Sequence, residues 1–239
     1  MLAVQGTPTR FTDDILTYGL SDVFLSNGRV YSWSEYTTSS LKAKLLPTAQ
    51  IEAPEFFTVG STRDEVLAVQ GTPTKFTNDI LTYGLSEVIL SNGKVHSWHE
   101  YTTSPLKAKL LPATQVEARE FFTVGSTRDE VLAVQGTPTK FTDNTLTYGL
   151  SEVILSNGKV HSWRAYATSP LKAKLLPAPQ IEAREFFTVG STRDEVLAVQ
   201  GTPTKFTDNT LTYGLSEIIL SNGKVVSWRQ HATNPLKAR

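Results

Sequence analysis

The residues with chemical potential in this chain are few, and they recur. Histidine occurs at His96, His99, His161 and His231, and cysteine is absent from all 239 residues. Disulfides, thiolate zinc sites, iron–sulfur clusters and thiol nucleophiles are therefore excluded. His96 and His99 are three apart, a spacing that sends them to opposite faces of a strand and separates them as metal ligands. Gly60-Ser61-Thr62-Arg63 recurs from Gly125 and from Gly190 ahead of a helical run. Two readings fit it: an anion held at a helix N-terminus by Ser61, Thr62 and Arg63, or simple capping, since Glu65 would repel the same anion. A third set is Glu87, Ile89, His96 and Trp98, repeated as Asp22/Phe24/Tyr31/Trp33, Glu152/Ile154/His161/Trp163 and Glu217/Ile219/Val226/Trp228. Two readings fit this set: a face that contacts another protein, or a face that packs on another repeat with the tryptophans shielding sheet edges. No phosphate loop, nucleophile elbow, zinc-protease or calcium-loop pattern is present. Neither catalysis, nor a cofactor, nor a metal is expected.

These residues recur because the whole chain recurs. Leu-Ala-Val-Gln begins at Leu2, Leu67, Leu132 and Leu197, each start 65 positions after the last, and a strict period of this length marks a tandem-repeat architecture. The period yields an incomplete copy over residues 1–44 and complete copies over 56–109, 121–174 and 186–239, with linkers at 45–55, 110–120 and 175–185. The first copy lacks the Phe-Phe segment and the first half of the helix, with Met1 standing where Val66, Val131 and Val196 stand. It is expected to depart from the others, or to be completed by a second chain through swapping or strand pairing.

In the second copy, Phe56 to Val59 is aromatic and β-branched and reads as a strand. Thr62 and Glu65 have capping-box spacing, and the helix they start runs to Gly71, with Pro73 beyond it as a stop. Leu81-Thr82-Tyr83 reads as a strand. Glu87 to Ser91 and Lys94 to Trp98, joined by Asn92-Gly93, form a hairpin with a type I′ turn. Leu106 to Leu110 alternates apolar and charged residues as a last edge strand would. The expected fold class is α+β: tandem β-α-β-β-β repeats, each a short helix packed on an antiparallel sheet. A regular two-residue hairpin register opposes Glu87 to Trp98, Ile89 to His96 and Leu90 to Val95. That register turns Val88, Leu90 and Val95 towards the helix, and Glu87, Ile89, His96 and Trp98 away from it.

Val59-Gly60-Ser61-Thr62-x-x-x-Val66-x-x-x-x-Gly71-x-Pro73, followed by Leu81-Thr82-Tyr83, Val88-Ile89-Leu90 and Asn92-Gly93-Lys94-Val95, resembles the SmpA/OmlA (BamE-like) family. The order of elements is similar to the β-lactamase-inhibitor-protein fold, and the Phe-Thr-Val-Gly-Ser-Thr phrase resembles uncharacterised repeats of cyanobacterial proteins. The resemblance covers about 40 residues of each unit. It implies a sheet that grips a partner protein. The lipidated cysteine of the outer-membrane family has no counterpart in this sequence.

Composition narrows the functional classes. Twenty-three basic and 23 acidic residues balance, with no long run of either sign, which argues against nucleic acid or an anionic membrane as partner. No apolar stretch approaches the roughly 20 residues a membrane-spanning helix needs. The repeat begins directly after Met1, which leads to the expectation of a chain without a leader. A cytoplasmic setting follows from that, and a secreted one stays compatible. The expected function is a non-catalytic, protein-binding or scaffolding repeat. Its candidate contact residues are Trp33, Trp98, Trp163, Trp228, Glu87, Glu152, Glu217, Tyr31, His96 and His161. The alternative is a structural or engineered repeat with no dedicated ligand, and a homo-oligomer through the first copy is a further expectation. Comparing 131–174 with 196–239, six of 44 positions differ, three of them between His161 and Tyr166. Variation thus gathers on and after the second hairpin strand.

Overall fold

The computed structural model describes residues 2–48, 51–113, 116–117, 119–178, 181 and 184–239. The chain forms two compact units, Met1–Leu110 and Leu111–Arg239, each holding two copies of the repeat. The first unit contains α1 (Leu2–Gln5), β1 (Arg10–Phe11), β2 (Ile15–Tyr18), β3 (Ser21–Ser26) and β4 (Arg29–Ser34). It continues with α2 (Arg63–Gln70), β5 (Lys75–Phe76), β6 (Ile80–Tyr83), β7 (Ser86–Ser91) and β8 (Lys94–His99). The second unit holds α3 (Arg128–Gln135), β9 (Lys140–Phe141), β10 (Thr145–Tyr148), β11 (Ser151–Ser156) and β12 (Lys159–Arg164). Its last copy is α4 (Arg193–Gln200), β13 (Lys205–Phe206), β14 (Thr210–Tyr213), β15 (Ser216–Ser221) and β16 (Lys224–Arg229). No helix among the described residues is long and apolar enough to cross a membrane.

Local chemistry explains the helix and the turn. Thr62 accepts the Glu65 N–H through its side chain while the Glu65 carboxylate accepts the Thr62 N–H, so the capping box closes as its spacing predicts. Gly71 ends the helix at φ +87°, donating its N–H to the Leu67 carbonyl, a conformation that favours glycine. Asn92 and Gly93 sit at φ +51° and +72°, the pair of positive angles a type I′ turn requires. Thr127 and Thr192 repeat the cap, and the Asn-Gly angles recur in all four copies.

The architecture corrects the α+β expectation. Within each unit every ladder is antiparallel and consecutive strands pair, so sheet dominates: a complete copy has strands of 2, 4, 6 and 6 residues against one helix of eight. Two expected strands are absent from the ladder. Phe56–Val59 and Leu106–Leu110 instead form one parallel bridge, Phe57 to Ala108, held by the Phe57 N–H to Lys107 carbonyl bond at 3.0 Å and the Lys109 N–H to Phe57 carbonyl bond at 2.9 Å, with the Lys109 ammonium 4.2 Å from the Phe56 ring centre. Lys75–Phe76, unassigned from sequence, is a ladder strand instead. The reason lies at the junction of copies: β4 pairs with β5 of the next copy, which occupies the edge an extra strand would have used.

The core is a cross-strand row. In the first unit Trp33 opposes Phe76, Phe76 opposes Leu81, Leu81 opposes Val88 and Val88 opposes Trp98, and all five are buried. Val66, Leu67 and Val69 of α2 are buried with them. Each such side chain contributes roughly 1.5–3 kcal/mol by leaving water. In the first copy the helix is only the four-residue turn α1. The expectation that Met1 stands in for Val66 lies outside the described residues.

Candidate functional site

The expected hairpin register holds at the turn and then fails. Ser91 opposes Lys94 and Leu90 opposes Val95, but Ile89 opposes Ser97, Val88 opposes Trp98 and Glu87 opposes His99, with a bulge between Ile89 and Leu90. One extra residue in β8 puts both His96 and Ser97 on the outer side, and so returns Trp98 to the side of Val95. Trp98 is 1% exposed. The same shift occurs in the other three hairpins. Trp33 and Trp163 are buried as well, and Trp228 is half-buried. The tryptophans therefore leave the set in which regular alternation had grouped them with Glu87, Ile89 and His96. Their edge-on rings lie 5.9 Å from Phe57 for Trp98, 5.9 Å from Phe122 for Trp163 and 5.7 Å from Phe187 for Trp228. Such pairs add about 0.5–1.5 kcal/mol to area burial.

The outer side keeps the other expected residues together. Tyr31, His96 and His161 project from the bulge and are exposed, as is Val226 in the last copy. Below the bulge runs a polar row in which Lys75 opposes Thr82, Thr82 opposes Glu87 and Glu87 opposes His99. In the second unit the row reads Lys140, Thr147, Glu152, Arg164, Lys205, Thr212, Glu217 and Arg229. Glu87, Glu152 and Glu217 are half-exposed, and Glu217 pairs with Arg229 at 3.2 Å. Beside this row lies a less polar one, with Ile80 opposite Ile89 and Ile89 opposite Ser97. The face thus offers alternating charge with small apolar strips at the repeat spacing.

The weak anion site is taken up by local structure. Ser61 Oγ accepts the Thr58 N–H at 3.1 Å, Thr62 closes the cap, and the Arg63 guanidinium stacks 5.2 Å from the Phe76 ring centre. His99 lies against Tyr101, with centroids 4.6 Å apart, and His231 Nδ1 sits 2.8 Å from Thr233 Oγ1. Among the described residues no group of three or more His, Cys, Asp or Glu side chains is placed to hold a metal ion.

Two features escaped the sequence reading. The glutamine closing each Leu-Ala-Val-Gln is a clamp: Gln70 Nε2 donates to the Pro105 carbonyl at 3.0 Å while its Oε1 accepts the Lys107 N–H at 2.8 Å. Gln5, Gln135 and Gln200 do the same. Its recurrence at a helix end was the available signal. The second is an open cleft of about 790 Å3 in the second unit, walled by Arg164, Tyr166, Lys205, Tyr213 and Asn234 among others. Burial pushes the Tyr213 phenol above its ordinary range, and its hydroxyl donates to the Gly201 carbonyl at 2.9 Å. Three of the six positions that differ between the last two copies, at Ala165, Tyr166 and Asn234, fall on this wall.

A scan of family models, a search of curated proteins and a search of solved structures each returned no match for this chain.

Proposed function

We infer that the chain is a non-catalytic repeat scaffold that offers the outer face of its sheet to a partner protein. The observation that carries this reading is the contrast between the two sides of the hairpin. Inside, the Phe-Leu-Val-Trp row changes only by Val153 to Ile218 between the last two copies. Outside, the bulge position runs Tyr31, His96, His161, Val226, and the residue pair after it runs Ser34-Glu35, His99-Glu100, Arg164-Ala165, Arg229-Gln230. Packing explains the constancy inside. The outside carries polar and aromatic groups in register, with the rim chemistry of a protein interface. The resemblance to SmpA/OmlA modules supports the same reading. Near-identity of the copies supports the alternative, a structural repeat with no dedicated ligand.

The test leaves the core alone. Immobilised wild type and a combined Tyr31→Ala, His96→Ala, His161→Ala variant, all at exposed positions, are compared for proteins retained from a lysate of the source cell. Selective loss of a retained protein by the variant, with an unchanged melting temperature, is the expected result. Equal retention by both would sink the outer-face reading and favour the ligand-free one.

A further inference from the structure

The open cleft of the second unit lies at the junction of the third and fourth copies, where β12 meets β13. Arg164 opposes Lys205 there, so two cations stand side by side in the outer polar row, and directly opposed like charges destabilise a sheet. Neither forms an ion pair among the described residues, although Glu152 opposes Arg164 on the other side of β12. Glu217, the other acid of the row, is held by Arg229 at 3.2 Å. The matching junction of the first unit has the same ladder and different charges. Ser34 opposes Lys75, and the next residue is Glu35, whose carboxylate accepts the Leu41 N–H at 2.7 Å. Ala165 occupies that place in the third copy. The same positions thus carry one cation and one carboxylate in the first unit, but two cations and no carboxylate in the second.

Beside the cations the cleft wall is apolar and aromatic. Leu215 and Tyr166 are 59% and 42% exposed, and both line the cleft together with Tyr213 and Pro235. Their backbones are fixed. The Tyr166 N–H donates to Ser151 Oγ at 2.8 Å, the Tyr166 carbonyl accepts the Ser169 N–H at 3.0 Å, and the Leu215 N–H donates to Asn234 Oδ1 at 3.0 Å. A wall already held in place loses little freedom when a ligand settles on it. An exposed leucine and tyrosine next to two unpaired cations are complementary to a ligand that carries negative charge beside apolar surface.

We propose that this cleft binds an acidic segment of a partner protein, with a carboxylate set between Arg164 and Lys205 and a neighbouring apolar side chain laid on Tyr166 and Leu215. The arginine fork suits a carboxylate, which it can hold through two parallel hydrogen bonds, and the anion removes the repulsion between the opposed cations. A cleft of about 790 Å3 takes only a few residues of extended chain, so the contact is weak and salt-sensitive. The proposal rests on the outer-face reading, since Arg164 and Lys205 belong to the outer polar row, and it adds the chemistry of the partner. It also separates the two units: the first, with Glu35 and Ser34 at the matching positions, does not share the preference.

Fluorescence anisotropy with a labelled Gly-Ser-Glu-Leu-Glu-Leu-Gly-Ser peptide tests it, alongside the same peptide with glutamine for both glutamates and a labelled oligothymidylate of similar length. Wild type is expected to bind the acidic peptide at least about tenfold more tightly than the glutamine peptide, and less tightly as salt rises. Arg164→Ser combined with Ala165→Glu writes the first-unit residues into the third copy. That variant is expected to bind the acidic peptide at least about tenfold more weakly at an unchanged melting temperature. No binding of the acidic peptide by wild type overturns the proposal, as does equal binding of the glutamine peptide, affinity indifferent to the paired substitution, or tighter binding of the oligothymidylate. The retention of lysate proteins through Tyr31, His96 and His161 is measured separately, so the acidic-segment assignment can fail while the outer-face reading stands.

Discussion

The first and second copies share one unit and nearly one sequence, yet the same side chains meet different fates. Phe11 is 74% exposed and Phe76 is 6% exposed; Val30 is 41% exposed and Val95 is 2% exposed. In the second copy residues 57–63 strap the hairpin. Gly60 N–H donates to the Val95 carbonyl at 2.8 Å, Val95 N–H to the Ser61 carbonyl at 2.7 Å and Arg63 N–H to the Gly93 carbonyl at 3.0 Å. Phe76 is then enclosed between Trp33 and the Arg63 guanidinium. The first hairpin carries no such strap among the described residues, and β1 has no tryptophan across from Phe11 there. Strand formation is thus inherited by each copy from its own turn and alternation, whereas burial is conferred by the segment before it and the copy beside it.

The comparison can be broken most directly at its phenylalanines. Phe76→Ala is expected to cost about 3–5 kcal/mol, against no more than about 0.5 kcal/mol for Phe11→Ala, read as urea midpoints. Similar costs would mean that the first copy is enclosed in solution.

The tight turns should instead behave alike. A Cβ on Gly84 would meet Ser104 Oγ and one on Gly19 would meet Ser39 Oγ, at φ +65° and +67°. Gly84→Ala and Gly19→Ala should therefore each cost about 2 kcal/mol, since the left-handed backbone and the crowding are present with or without a strap. A much smaller effect at Gly19 would show a looser first copy.

The capping box belongs to complete copies only. Thr62→Ala is expected to cost about 1 kcal/mol by thermal melting, as N-cap losses do. The backbone N–H of Thr127 holds the Glu130 carboxyl below its ordinary value of 4.5, and Thr192 does the same for Glu195. A carboxyl depressed in the folded state contributes fully above its ordinary value, and that contribution fades as pH falls from there through the folded value. The double variant Glu130→Gln, Glu195→Gln should accordingly flatten the decline of melting temperature on acidification below about pH 4.5. An unchanged acid limb would mean that other carboxylates carry it.

The smallest expected effect is at the glutamine clamp, which both copies possess. Gln5→Ala and Gln70→Ala should each cost about 0.5 kcal/mol, the net worth of exposed hydrogen bonds. Hydrogen exchange at Lys42 and Lys107, whose amides the clamps hold, should rise in the respective variants.

Much of the fold was legible where the deciding contacts close within a few residues. Thr62 with Glu65, Gly71 before Pro73, and Asn92-Gly93 each specify a hydrogen bond or a dihedral that needs nothing distant. The candidate face was harder, because strand parity was read by strict alternation. Val95 and Trp98 are three apart, both strongly apolar, and only a bulge can bury both; that spacing was the missed signal. Lys75–Phe76 was too short to read as a strand without its partner β4, about 40 residues earlier in the chain.

By itself the sequence determined the period, the capped helix, the Asn-Gly turn and the set of side chains that each copy brings to its hairpin, because those follow from local spacing and dihedral preference. Tertiary structure alone decided that Trp98 faces inward, that β4 gives its edge to β5, and that Phe11 and Phe76 differ in exposure. These outcomes depend on which neighbour removes water from an apolar surface, and that neighbour is supplied by a distant part of the chain.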